Sequence, residues 1–345
     1  MPGSRGVKLR WGLLGVGDVM GKLVISPMKK AEEVELVAAC RRDESRLRVF
    51  AEEHGIPRTY TDADSLVNDS EIDAVYVATP HNLHCRHAMK AAKAGKHVLV
   101  EKPMAVSAGE CREMIRACAE AEVCLGVSYY RRTLRIVKEA RRLLEEGAIG
   151  RPVLFRVFYP SGLIDFAPGH PRIWLTQKNA GGGSLFGVGS HAIDLLLYLG
   201  GDIAGVTGAV DRVVMQGDAD DVAGMVCRFR SGALGMMSCS YNSPAGIFPV
   251  EISGTRGRIS FDASPRDVLS LWRNGRVERI HVEAPGRDSA DLELVRSFSR
   301  YALYGQSFAV PGEEAIRTNV VIDALFKAAR SREWAAIDWN GETAC

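Results

Sequence analysis

The sequence lacks several features that would have decided its class at once. No run of about 18 apolar residues occurs, so no transmembrane helix and no membrane partner is expected. The eight cysteines never form a Cys-x-x-Cys pair, which argues against a zinc or redox motif, and no metal site is expected. Formal net charge is only +2 with no long basic run, so nucleic-acid binding has no support. Internal repeats, low-complexity tracts and flexible linkers are absent as well. The N-terminus is short and polar, and the first apolar run after it carries a glycine loop, so it reads as a strand and not as a signal peptide.

What remains is ordinary globular composition, 46% hydrophobic and 25% charged over 345 residues, enough for two or three domains. A soluble protein of the reducing cytoplasm is expected, its cysteines serving as small buried hydrophobes. The first part of the chain alternates strand and helix. Continuous apolar runs at Leu9 to Leu14, Val34 to Cys40, Ala74 to Ala78, His97 to Val100 and Cys124 to Val127 fit parallel strands covered on both faces. Among the helices between them, Ser107 to Ala121 is the clearest, with Ser107 and Glu110 as a capping box. An amphipathic helix is expected over Leu134 to Glu146, closed by Gly147, and a late one over Glu313 to Arg330. Beyond Gly150 the pattern changes to strands paired through Ser231-Gly232, Arg256-Gly257 and Asn274-Gly275. The expected architecture is an α/β doubly wound parallel sheet over 1–126, followed over 127–345 by an α+β domain with a large open, mainly antiparallel sheet.

The first strand runs into Gly12-Leu13-Leu14-Gly15-Val16-Gly17-Asp18-Val19-Met20-Gly21. Gly15 and Gly17 permit a tight turn and close approach to a pyrophosphate, and the helix opening at Val19 and Met20 would aim its amides at that anion. The third glycine comes one residue later than in the commonest fingerprint. After the second strand, where NAD-specific sheets usually carry an acid, stand Arg41 and Arg42. Guanidinium groups there favour the 2′-phosphate, so NADP(H) is the favoured cofactor and NAD(H) the alternative. The competing reading is a pair of solvated arginines partnered by Asp43 and Glu44.

At the fifth strand the chain reads Lys96-His97-Val98-Leu99-Val100-Glu101-Lys102-Pro103. This resembles the Glu-Lys-Pro motif of the Gfo/Idh/MocA oxidoreductases. Ala78-Thr79-Pro80-His81-Asn82-Leu83-His84, Gly126-Val127-Ser128-Tyr129-Tyr130-Arg131-Arg132, Glu146-Gly147-Ala148-Ile149-Gly150-Arg151-Pro152 and Gly181-Gly182-Gly183-Ser184-Leu185 match in order. The resemblance implies a Rossmann domain, a C-terminal open sheet used for homodimers or homotetramers, and hydride transfer on sugars, polyols or cyclic diols. It places Glu101 and Lys102 by the nicotinamide ribose, with Thr79, Pro80, Asn82 and His84 lining the cofactor cleft and Trp174 beside it. Lys102 would polarise the reacting oxygen and His191 would exchange the proton, roles the chemistry of hydride transfer also needs. Tyr129, Tyr130, Arg131 and Asp165 are candidate substrate residues, the last within the specificity segment 158–171.

Two departures stand out. The acid expected four residues before His191 is Gly187, and Asp194 reads as a structural partner, not its replacement. Leu175 stands where many relatives carry an arginine, with His170 and Arg172 nearby. Two other functions therefore stay open: an NAD-dependent glycosidase working by transient oxidation, and a nucleotide-binding pseudoenzyme or regulatory protein.

Overall fold

A computed structural model describes residues 7–17, 19–162, 170, 172–264, 266–283 and 286–339. The chain divides into two compact units, one of Met1–Ala105, Gly109–Tyr130 and Arg287–Ile316, the other of Val106–Ala108, Arg131–Gly286 and Arg317–Cys345.

The first unit is built on six strands, β1 (Leu9–Leu14), β2 (Val34–Cys40), β3 (Arg58–Tyr60), β4 (Ala74–Val77), β5 (His97–Val100) and β6 (Leu125–Val127). Their order is β3-β2-β1-β4-β5-β6 and every pairing is parallel. This is the doubly wound order, whose switch point lies between β1 and β4. The apolar runs explain the strands. Trp11, Leu13, Val75, Val77, Val98 and Leu99 are fully buried because helices cover both faces of a parallel sheet.

The division differs from the sequence expectation of a first domain ending at residue 126. The helix Arg287–Tyr304 and the segment after it belong to the first unit. Gly126 shows why. A Cβ there would lie 2.7 Å from the rings of Phe298 and Phe308, so the glycine lets these aromatics press on β6. Val127 N–H donates to Val310 at 3.0 Å, and Trp11 meets Phe298 with ring centroids 5.6 Å apart.

The second unit holds nine strands: β7 (Pro152–Pro160), β8 (Ile203–Asp211), β9 (Val222–Phe229), β10 (Leu234–Ser240), β11 (Pro249–Gly254), β12 (Gly257–Asp262), β13 (Val268–Arg273), β14 (Arg276–His281) and β15 (Ala335–Ala336). They run in the order β14-β13-β12-β11-β7-β10-β9-β8-β15, antiparallel throughout except for β7 beside β10. The predicted hairpins are present. Asn274 and Gly275 both take positive φ, 53° and 70°, the backbone that a two-residue hairpin turn requires. Strands β9 and β10 alternate covered and open residues, so one face of the sheet packs on helices and the other is bare. On the bare face Phe158, Val226 and Met236 are 37%, 36% and 43% exposed and border an open groove of about 790 Å³, with Arg156 and Glu251 at its side. Among the described residues no helix is long and apolar enough to cross a membrane, and no cluster of three or more metal-ligating side chains occurs.

Candidate active site

In the first unit the cofactor signals converge on the switch point. Gly15 ends β1 with φ of 97°, and a Cβ there would lie 2.8 Å from the Ala78 carbonyl carbon and oxygen. Glycine is needed twice over, for the left-handed backbone and for the close approach to the end of β4. Gly17 is exposed, with nothing within 4 Å of a built Cβ, which leaves room for an anion. Val19 is partly exposed, but the Met20 side chain is fully buried. The late third glycine has a structural counterpart. Met20–Val24 forms a π turn before the α-helix Ile25–Lys30, and a π turn holds one more residue than an α turn.

The two arginines after β2 are not equivalent. Arg41 folds back, its Nη1 donating to the Val16 carbonyl at 2.9 Å, so it braces the glycine loop. Arg42 is exposed. Asp43 does not partner it. Asp43 caps the helix Glu44–His54 by accepting from Arg46 N–H at 3.0 Å, and pairs with the Arg46 guanidinium at 3.3 Å.

At the ends of β4 and β5, Glu101 is held from two sides. The Tyr76 hydroxyl donates to its Oε1 at 2.8 Å and stands 3.1 Å from Ser128 Oγ, and Lys102 N–H donates to its Oε2 at 3.1 Å. Burial and the Glu101 charge push the Tyr76 pKa well up, so the phenol stays a donor. Lys102 is partly exposed at this strand end, where ligands bind in parallel sheets.

His84 is corrected from its expected place lining a cleft. It is wholly buried, with Nδ1 2.9 Å from the Pro103 carbonyl and Nε2 2.9 Å from that of Thr79, so it ties the two motif loops together. Burial lowers its pKa against the pull of both carbonyls. Thr79 and Pro80 are partly exposed and Asn82 is exposed, with Thr79 Oγ1 3.1 Å from His87 Nδ1.

In the second unit His191 sits in the helix Ser190–Gly200, entered through a π turn at Leu185–Gly189. The glycines before it are dictated by contacts. A Cβ on Gly182 would lie 2.5 Å from the Leu175 carbonyl oxygen, and Gly183 takes φ of 109° against Asp220. Asp220 accepts from Ser184 Oγ and Leu185 N–H, both at 2.8 Å, and so caps the turn. Burial raises the Asp220 pKa.

Asp194 is a structural partner, as expected. Arg132 grips it with bonds of 2.7, 3.0 and 3.1 Å, both side chains almost fully buried. Arg131 and the two tyrosines before it are almost wholly buried. Arg131 is 4% exposed and donates to the Tyr159 hydroxyl at 2.8 Å and to the Ala263 carbonyl. It thereby positions Tyr159, whose ring centroid is 6.0 Å from that of His191. Tyr129 is fully buried, and the Tyr130 ring lies 4.3 Å under the Arg287 guanidinium. Trp174 is partly exposed, and Leu175, in the place of an arginine, is buried. Arg172 N–H donates to His170 Nδ1 at 3.1 Å. Asp165 and most of its segment lie outside the described residues.

One side chain was not foreseen. A Cβ built on Gly187 would stand 1.5 Å from the Tyr241 hydroxyl oxygen and 2.6 Å from Tyr241 Cζ. The phenol fills the space that a side chain at 187 would occupy. No sequence signal links two positions this far apart.

Residues 9–129 match the NAD-binding Rossmann fold of the GFO/IDH/MocA oxidoreductase family, and residues 137–260 match the family's C-terminal domain. A 1,5-anhydro-D-fructose reductase of Ensifer adhaerens is 31% identical over 339 residues, 95% of this chain and 98% of that protein. A D-xylose 1-dehydrogenase (NADP(+)) of Haloferax volcanii is 29% identical over 346 residues, 96% and 100% of the two chains. Among solved structures, a levoglucosan dehydrogenase in complex with NADH and levoglucosan superposes with a TM-score of 0.86 at 26% identity, covering 96% of this chain and 99% of that one.

Proposed function

The chain belongs to the Gfo/Idh/MocA oxidoreductase family, and on that premise we propose that it transfers hydride between a nicotinamide dinucleotide and a sugar-like or cyclic alcohol or ketone. The observation that carries this reading is Lys102 at the open end of β5, beside a Glu101 fixed by Tyr76. Hydride transfer to a carbonyl leaves negative charge growing on oxygen. An ammonium already in place stabilises it without reorganisation. His191 exchanges the proton in this reading.

NADP(H) is the favoured cofactor because Arg42 is exposed and free of Asp43, while Arg41 keeps the glycine loop in shape. Gly17 supplies the space for the pyrophosphate. The bare sheet face supports a homo-oligomer, since Phe158, Val226 and Met236 form an apolar patch of the kind that association covers.

Steady-state kinetics on a panel of sugars, polyols and cyclic ketones with NADPH and NADH tests the activity. Lys102→Ala is expected to lower kcat/KM at least 100-fold. Near-wild-type kcat/KM in that variant would overturn the assignment. Tight NADPH binding with no turnover on the whole panel would favour the pseudoenzyme reading instead.

A further inference from the structure

Thr79 stands two residues beyond β4, against the turn at Gly15 and at the switch point of the parallel sheet, where ligands bind in such folds. One helix grips it twice. The helix His84–Lys93 carries His84 and His87 three residues apart, and so on one face. His84 Nε2 lies 2.9 Å from the Thr79 carbonyl, and His87 Nδ1 lies 3.1 Å from Thr79 Oγ1. The other branch of the threonine, its methyl, packs over Gly15, 2.9 Å from where a Cβ would be. A β-branched side chain held at both branches keeps one χ1 rotamer, so the hydroxyl is fixed before any ligand arrives.

Two hydrogen-bonding groups are left over at this spot. Among the described residues nothing accepts from the Thr79 N–H, and nothing bonds to His87 Nε2. Both residues are partly exposed. Burial pushes the His87 pKa down to about 4, with His84, Arg86 and Lys90 acting in the same direction and Asp64 against them, so the ring is neutral at working pH. A neutral imidazole has one N–H and one acceptor nitrogen. With the proton on Nε2, Nδ1 accepts from the Thr79 hydroxyl. Thr79 is then left with lone pairs on Oγ1 and an open N–H, an acceptor and a donor on one residue. That pair suits an alcohol, which both donates and accepts, and not a phosphate oxygen, which only accepts.

We propose that His87 is a positioning residue for the cofactor: it holds the Thr79 hydroxyl as an acceptor, so that Thr79 binds a ribose hydroxyl of the dinucleotide through Oγ1 and N–H. The proposal rests on the dinucleotide-binding part of the reading above and not on the roles of Lys102 and His191.

The test is calorimetric titration of the full-length protein with NADPH, without substrate. His87→Phe keeps a ring and removes the acceptor, and Thr79→Val removes the hydroxyl. Each should weaken NADPH about 3- to 12-fold, the range of a neutral hydrogen bond. The double variant should bind within twofold of the weaker single, because both changes act on one oxygen. His87→Asn, whose amide oxygen takes the place of Nδ1, should bind within twofold of wild type. Nitrogen-15 NMR of the wild type should show His87 Nδ1 without a proton. Unchanged affinity in His87→Phe, losses that multiply in the double variant, an Asn variant as weak as the Phe variant, or a protonated Nδ1 each overturn the proposal. Failure of the oxidoreductase reading looks different: the wild type would bind NADPH and respond to these substitutions yet turn over no substrate, and the role of His87 would stand.

Discussion

Replacing Arg132 with methionine would strip the guanidinium from a pair whose side chains are 2% and 0% exposed, and leave the Asp194 carboxylate buried without its cation. Three bonds between 2.7 and 3.1 Å would be lost together. Breaking one side of a buried ion pair costs about 3–5 kcal/mol, because the orphaned charge keeps its desolvation penalty. For a unit of this size each kcal/mol moves the melting temperature by about 2–4 °C, so the expected drop is roughly 6–20 °C. Removing both partners, Arg132→Met with Asp194→Leu, should restore most of it, since an apolar pair leaves no buried charge. Differential scanning calorimetry of the three proteins reads both numbers. The reasoning fails if the single variant melts within 2 °C of wild type, or if the double variant is as unstable as the single. The same series tests whether Asp194 could serve as the acid missing at 187, because a chemical role would appear as lost turnover in a protein of unchanged stability.

Arg42→Ala should weaken NADPH about 10- to 100-fold by calorimetry and leave NADH within threefold, whereas Arg41→Ala should weaken both because it frees the Val16 carbonyl. Acid should destabilise the protein through His87, whose pKa burial lowers from 6.5 to about 4. The unfolded chain binds the proton first, so stability is lost as pH falls from about 6.5 to 4, with up to about 1.4 kcal/mol per pH unit from this group. Denaturant melts of His87→Gln across that window should show a shallower slope, and an unchanged slope would reject the assignment. Met236→Arg on the bare sheet face should shift the protein to smaller species by light scattering if that face is the interface, with activity of the remaining fold as the control.

Strands β1, β2 and β5 were legible to the residue because continuous apolar runs have few other uses in an alternating pattern. The hairpin turns were equally plain, since Asn274-Gly275 asks for backbone that few other pairs adopt. Strands β7 and β8 were not foreseen. The first begins and ends on proline and the second reads Ile-Ala-Gly-Val-Thr-Gly-Ala-Val-Asp, too rich in small residues to show alternation. The site divided along the same line. Gly15, Gly17, Glu101 and Lys102 announce themselves because local backbone chemistry fixes them. The contact of Tyr241 with Gly187 does not, because it comes from sheet-to-helix packing and leaves no mark on either stretch of sequence.

The return of the helix Arg287–Tyr304 to the first unit has a consequence for the order in which the protein is made. When residue 130 leaves the ribosome, all six strands of the parallel sheet exist, yet Phe298 and Phe308 do not. Trp11 and Gly126 must wait, with their apolar faces open, until the whole of 131–286 has been synthesised. Glu33 likewise waits for Arg296 and Arg300, which reach it at 3.2 and 2.6 Å. The nucleotide-binding half is therefore begun first but completed only after most of the second unit has been made. A fragment cut at residue 130 would be an aggregation-prone torso, and an early stop anywhere before the return helix would leave the same face for chaperones to cover.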